Sequence, residues 1–377
     1  MIKKFNLLFF TIIISSTLFG QIVINEFSAA NYDSFQDNYG EYHDWIEIYN
    51  NSSNSIDLDG WYLSDKASNL TKWQFPASFI LGANTTALIY CSGRDELIGG
   101  IAHTNFKITQ TKGNEVFVIS DPSSNIIDSI TVVPHQKTHS RGRDVNGGAN
   151  WSVFATTSSP GTNNNGALLE YATTPAFSQP SGYYSAGIDV AINSPDPNIT
   201  IYYTVDGSLP DNTSLIYNSP VNITSTTVLK AVAYSSNPNI PRSFLEYNTY
   251  FINDTHTVSI LSIAGTDLGD LLAGSWNLEP QGTVEYFNSN GNLLDKGTGE
   301  YNKHGNDSWA YDQRGFDFIM RDQFGYNYAV NDKIFETKNR DSFQRLIVKA
   351  AANDNFSFED GAHIRDQYVH HLSLIHI

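Results

Sequence analysis

The sequence predicts a mainly β protein in which two tandem β-sandwiches precede an incomplete α+β domain. Three observations carry that prediction. Aromatic residues make up 13% of the chain and charged residues only 16%, the balance expected of sandwiches with polar loops. Short apolar runs recur between clusters of Asn, Ser, Thr and Gly, and helical patterning is confined to the last third of the chain. Finally, 377 residues at 40% hydrophobic content exceed what one ordinary core accommodates, so two or three domains are expected. The layout that follows is a leader over residues 1–20, sandwiches over 21–165 and 167–254, and a third domain over 256–377.

Lys3 and Lys4 precede an apolar run over 5–14, then Ser15 and Ser16, with a cleavage point after Gly20. This is the pattern of a secretory signal peptide. The run is too short for a bilayer and no later segment approaches that length, so no membrane span is expected after cleavage. Cys91 is the single cysteine, which rules out an internal disulfide, and its neighbours Leu88, Ile89 and Tyr90 place it in a buried strand. An exported chain without disulfides points to a bacterial protein, secreted or held at the cell surface and stabilised by core size. The formal net charge of -17 opposes unaided binding to phosphate backbones or anionic membranes and excludes nucleic acid as a partner. No pattern sets an oligomeric state.

In the first sandwich, strand patterns begin at Ile22, Trp45, Ala87, Glu115 and Ile126, and the segments WIEIY (45–49) and EVFVI (115–119) alternate as strands do. Turn clusters such as NNSSN at 50–54 separate them. The strings IVINEFSAAN, DWIEIYNNSSNSIDLDGWYLSD, WQFP, HTNFKI and GANWSVFATTSSPGTNN, in that order, resemble a bacterial lamin-tail domain. That resemblance implies an immunoglobulin-like fold, no catalytic site, and a binding or spacer role. Asp57, Asp59 and Asp65 lack the spacing of calcium ligands and read as solvated turn residues. Trp45, Trp61, Trp73 and Trp151 sit at strand ends inside apolar patterns, which favours core packing over a sugar-stacking platform.

The second sandwich takes strands near Val190, Ile199, Val228 and Tyr247, with Asp206-Gly207 and Pro210-Asp211-Asn212 as tight turns. Its string IYYTVDGSLPDNTSLIYNSPVNITSTTVLKAVAY resembles the C-terminal β-sandwich module of chitobiase and β-hexosaminidase-type proteins. Asp206 reads as a turn residue and not an acid catalyst, because glycoside hydrolysis needs two carboxyl groups flanking the bond. Extracellular polysaccharide or a surface protein is the expected partner class.

The third block opens with a buried-strand run at 258–263, a short helix at 268–273 and a strand at 282–287. After a turn at 304–308, Phe316, Phe318 and Met320 fall on one face of a strand while Asp317, Ile319 and Arg321 fall on the other. A further strand is expected at 343–350 and a helix over 360–374. The strings EYNKHGNDSWAYDQRGFDF and RLIVKAAANDNFSFEDGAHIRDQYV resemble the N-terminal part of the spore-coat CotH family of atypical kinases, with His304, Asp307 and the pair Gln313-Arg314 departing from its pattern. The resemblance implies a kinase-like domain, with ATP and magnesium as cofactors of a longer parent. Backbone amides of a Gly-Asn-x-Ser turn beside a cation suit phosphate oxygens, so Gly305, Asn306, Ser308, Arg314 and Lys349 are expected to line the nucleotide-phosphate side. Catalytic residues are not assigned and no metal ligands are expected: His304 reads as a turn residue, and His363, His370 and His371 as helix-surface residues. The acids that would hold magnesium in the resembling family fall beyond 377, and the sequence stops within the last helix, so it is expected to be an inactive fragment of an exported modular kinase. A non-catalytic adhesion or polysaccharide-binding scaffold is the alternative.

Overall fold

The computed structural model describes residues 21–113, 115–155, 160–306, 309, 314–325, 327–335 and 338–349. The leader and the 360–374 helix lie outside the described residues. The first block is a sandwich. Its larger sheet runs Trp151–Phe154, Ser140–Arg143, Ile22–Ser28, Trp45–Asn50, Thr86–Tyr90, Ile101–His103 and Glu96–Ile98; the smaller runs Ile126–Thr131, Val116–Ser120, Tyr62–Ser64 and Trp73–Gln74. Ile22, Ile24, Ile46, Ile48 and Ile89 from one sheet meet Leu63, Trp73, Phe117 and Ile119 from the other. Strict alternation after Ile22 and Ile24 would send Glu26 inward. A register shift between Ile24 and Glu26 absorbs one residue instead. Phe27 thereby joins the core, edge-on to Phe117 at 5.0 Å.

Behind this sheet lies a buried polar layer. The Asn25 amide donates to Glu47 Oε1 at 2.7 Å and to Asn164 Oδ1 at 3.1 Å, and the Gly161 amide donates to Glu47 Oε2 at 2.6 Å. Burial pushes the Glu47 carboxyl up to about 8 and that of Glu26 up to about 7. All four tryptophans of this block pack as expected: Trp73 is in the core, Trp61 and Trp151 lean on it, and Trp45 is buried. Cys91 is buried as well, one position past the strand Thr86–Tyr90. Asp65 departs from expectation. It is 4% exposed and paired with Lys72 Nζ at 2.5 Å, because the strand ladder turns it inward where only a cation can compensate it.

The second block holds a five-stranded sheet ordered Gly182–Tyr184, Glu246–Ile252, Thr227–Ser235, Ile199–Thr204, Leu215–Ile216, flanked by two short ladders. Leu229, Ala231 and Ala233 alternate along the central strand and cluster with Val190, Ile192 and Ile223 of those ladders. Asp206 is a turn residue: its Oδ1 accepts from the Ser208 amide at 3.0 Å and hydroxyl at 2.6 Å, beside Gly207 at φ 82°.

Among the described residues the third block is a five-stranded antiparallel meander, Ile260–Gly265, Gln281–Phe287, Leu293–Lys303, Phe316–Met320 and Arg345–Val348, with one short helix, Leu268–Ala273. These residues are therefore mainly β, and they do not supply the α+β character expected of a kinase-like domain. Phe316, Phe318 and Met320 enter the core together, as the alternation requires. The longest strand, Leu293–Lys303, has no counterpart among the expected elements. A Cβ on Gly297 would stand 1.8 Å from Met320 Cε, so the glycine is the space in which Met320 lies. No helix among the described residues is long and apolar enough to cross a membrane.

The blocks meet through seams in which polar bonds accompany aromatic contacts, Phe251 with Phe287 at 5.2 Å and Tyr32 with Phe324 at 5.6 Å. Lys296 Nζ of the third reaches Glu246 Oε1 at 2.7 Å and the Tyr247 carbonyl at 2.8 Å in the second. Glu285, 1% exposed, accepts from the hydroxyls of Ser181 and Thr249. Between the first and third, the Gln110 amide donates to Asp322 Oδ2 at 2.8 Å, and Tyr32 donates to Glu300. Between the first and second, Gln136 Nε2 donates to the Arg242 carbonyl at 2.7 Å.

Candidate functional site

Strand register decides where the predicted site residues stand. Lys303 pairs with Phe316, and Phe316 with Val348, so the three lie abreast at one end of the third sheet. Gly305 and Asn306 follow Lys303, Arg314 precedes Phe316, and Lys349 follows Val348. Four of the five predicted positions thus reach the same sheet end, while Ser308 lies outside the described residues. Gly305 takes φ 82°, where a side chain would be strained. The Trp309 indole closes the turn by donating to both the His304 and Gly315 carbonyls at 3.0 Å.

Two cations flank that indole, Lys303 Nζ at 5.5 Å and the Arg314 guanidinium at 5.9 Å from the ring centre. Arg314 also donates to the Leu272 carbonyl at 2.8 Å, which fastens it to the end of the helix. Asp317, 2% exposed, is met by His304 Nδ1 at 3.0 Å and by Arg345. The corner is therefore cationic and aromatic, and its buried carboxylate is already paired. Such a corner attracts anions; Asp317 is in no position to act as a free base.

A second place stands out where all three blocks meet, a cavity of about 470 Å³ lined by Gln136, Lys137 and His139, by Asp211, Tyr234, Arg242 and Phe244, and by Gln281, Thr298 and Phe324. That volume is typical of small-ligand sites. Lys137 is paired with Asp33 at 2.9 Å. Asp211 is held below the usual carboxylate range by bonds from the Thr213 hydroxyl and amide within its own turn. Burial pushes His139 down to about 4, so it is neutral, with Nδ1 2.9 Å from the Tyr171 hydroxyl. Among the described residues no hydrogen bond or ion pair engages the Arg242 guanidinium. Thr298, 4% exposed, has a hydroxyl without a partner. The cavity offers a guanidinium fork, an unsatisfied hydroxyl and aromatic faces, a set that suits a hydroxylated ligand bearing a carboxylate. No sequence pattern announced it, since its residues come from scattered positions in all three blocks and converge only through the seams.

The comparisons with known proteins bear on the first two blocks. Residues 15–134 match the lamin tail domain, and residues 179–241 match the chitobiase/beta-hexosaminidase C-terminal domain. No curated protein matches the chain.

Proposed function

We propose that the chain is a modular, non-catalytic binding and spacer protein acting outside the cell, which holds a polysaccharide by seating one carboxylate-bearing sugar residue in the cavity between the three blocks, where the Arg242 side chain offsets locally the negative charge that the chain carries overall. The observation that carries this reading is Arg242, an exposed residue on the cavity lining whose guanidinium has no protein partner among the described residues, where Lys137 is paired with Asp33 and Asp211 is held by its own turn. Matches to two β-sandwich modules support a binding and spacer role. A second reading makes the third block part of an exported phosphotransferase using ATP and magnesium, and the gathering of Gly305, Asn306, Arg314 and Lys349 at one sheet end favours it. One co-sedimentation experiment separates the two. The full chain is mixed with insoluble pectate, cellulose or chitin, and in parallel with immobilised ATP. Retention on pectate that falls about tenfold in Arg242→Gln, the loss of one charged hydrogen-bonding partner, is expected. Retention on ATP and not on pectate would replace the first reading by the second.

A further inference from the structure

Between the strands Ile22–Ser28 and Trp45–Asn50, the chain makes a loop whose conformation is pinned by one carboxylate. Asp37 Oδ1 accepts from the Tyr39 amide at 2.8 Å and from the Glu41 amide at 3.0 Å, while the Asp37 amide donates to the Glu41 carbonyl at 2.8 Å. The other oxygen, Oδ2, is different. The Asp37 side chain is 0% exposed, and among the described residues Oδ2 has no hydrogen-bond partner. Leaving a carboxylate oxygen buried without a donor is unfavourable, so something else is expected to satisfy it.

His43 Nε2 stands 3.9 Å from Asp37 Oδ2 and 3.0 Å from Glu41 Oε2. One donor atom from each of Asp37, Glu41 and His43 lies within 4.8 Å of the other two. Bonds of roughly 2.0–2.2 Å to a shared tetrahedral ion put neighbouring ligand atoms about 3.4 Å apart, so the cluster needs only small side-chain adjustments to close on one. The geometry points to a binding site for a divalent first-row transition ion, zinc foremost, held by Asp37 Oδ2, His43 Nε2 and a Glu41 carboxylate oxygen.

An imidazole with two carboxylates is a zinc-type donor set, whereas calcium takes oxygen ligands throughout. Asp37 is fixed by the backbone bonds at its first oxygen, so its second is aimed before any ion arrives. Glu41 is exposed and leaves the fourth position open to water. Arg94 donates to Glu41 Oε2 at 2.7 Å and lies over the Tyr39 ring at 4.2 Å. A carboxylate has enough lone pairs to keep that bond while ligating, and Arg94 then orients Glu41 from outside the ligand set.

This site is independent of the cavity at Arg242, and each stands or falls alone. The test is zinc titration of the metal-stripped full chain by calorimetry, with calcium as the parallel probe. Wild type is expected to take up zinc, with stoichiometry one ion lower in His43→Gln and in Asp37→Asn, or with affinity at that site weaker by more than about tenfold. Asp37→Asn keeps the Oδ1 bonds to the loop amides, so its metal-free unfolding midpoint checks that the loop still folds. The variant comparison also isolates this site from any zinc taken by other histidines. No uptake by wild type, stoichiometry and affinity unchanged in both variants, or calcium uptake without zinc would overturn the assignment.

Discussion

The interior of the first sandwich and the seam between the second and third blocks are both buried, yet the first is apolar and the second sets buried charges and hydroxyls beside an aromatic contact. In the sandwich, Phe27, Phe117, Trp73 and seven isoleucines close on one another, and the one polar atom among their side chains, the Trp73 indole N–H, donates to Asp95. In the seam, Glu285 is 1% exposed and Lys230 fully buried, with Thr249 and Ser262 hydroxyls 2.7 Å apart between the two blocks. Burial pushes Glu285 above the ordinary carboxylate range and Lys230 down to about 7. The difference teaches that contacts within a block are fixed by apolar area, while contacts between blocks add to a smaller aromatic contact, Phe251 on Phe287 at 5.2 Å, directed bonds whose desolvation offsets much of their strength. Cohesion within a block is therefore expected to exceed cohesion between blocks.

The largest effect should come from Phe117→Ala, which removes a fully buried ring and leaves a cavity; a loss of about 3–5 kcal/mol in denaturant unfolding is expected. A change under about 1 kcal/mol would mean that the core does not depend on that ring. Lys296→Ala strikes the seam instead. Removing the charge-assisted bonds to Glu246 and the Tyr247 carbonyl is expected to lose about 2 kcal/mol and to separate one unfolding transition into two, as followed by calorimetry. A single transition at an unchanged midpoint would show that the blocks are held by something else.

The smallest effect per step concerns pH. Glu47 and Glu26 titrate at about 8 and about 7 when folded against an ordinary value of 4.5, so between pH 5 and 7 the folded state binds more protons than the unfolded one. Their contribution is full below about 4.5 and is lost as pH rises through the folded values, at up to about 1.4 kcal/mol per pH unit for each group. Lys230 is protonated in both states below its folded value. Asp44, raised to about 8, adds to the effect, while His139 and His135, lowered to about 4 and about 3, oppose it below about pH 6.5 and leave the carboxyls dominant. Stability measured at pH 5, 6 and 7 should fall with rising pH, and Glu47→Gln should flatten the slope; a slope unaffected by that substitution would assign the titration elsewhere.

Much of the fold was legible in all three blocks because alternation and turn chemistry act over a few residues. The Asp206-Gly207 turn, the inward set Phe316, Phe318 and Met320, and the helix Leu268–Ala273 all follow from local pattern. Leu293–Lys303 was illegible for a tertiary reason, since Gly297 makes sense only once Met320 is seen lying across it. The candidate sites divide the same way. Register carried four predicted positions to one sheet end, whereas Arg242 and Thr298 meet only across the seams. Asp37, Glu41 and His43 sit close in sequence, but an unsatisfied oxygen is a property of burial that no spacing announces.

Trp309 has a consequence of an optical kind. Its indole is clasped between two carbonyls and flanked by Lys303 and Arg314, so its excited-state dipole sits in a strong, fixed local field. Any anion that draws either cation away changes that field, and the ring becomes a built-in fluorescent gauge of charge arriving at the end of the third sheet.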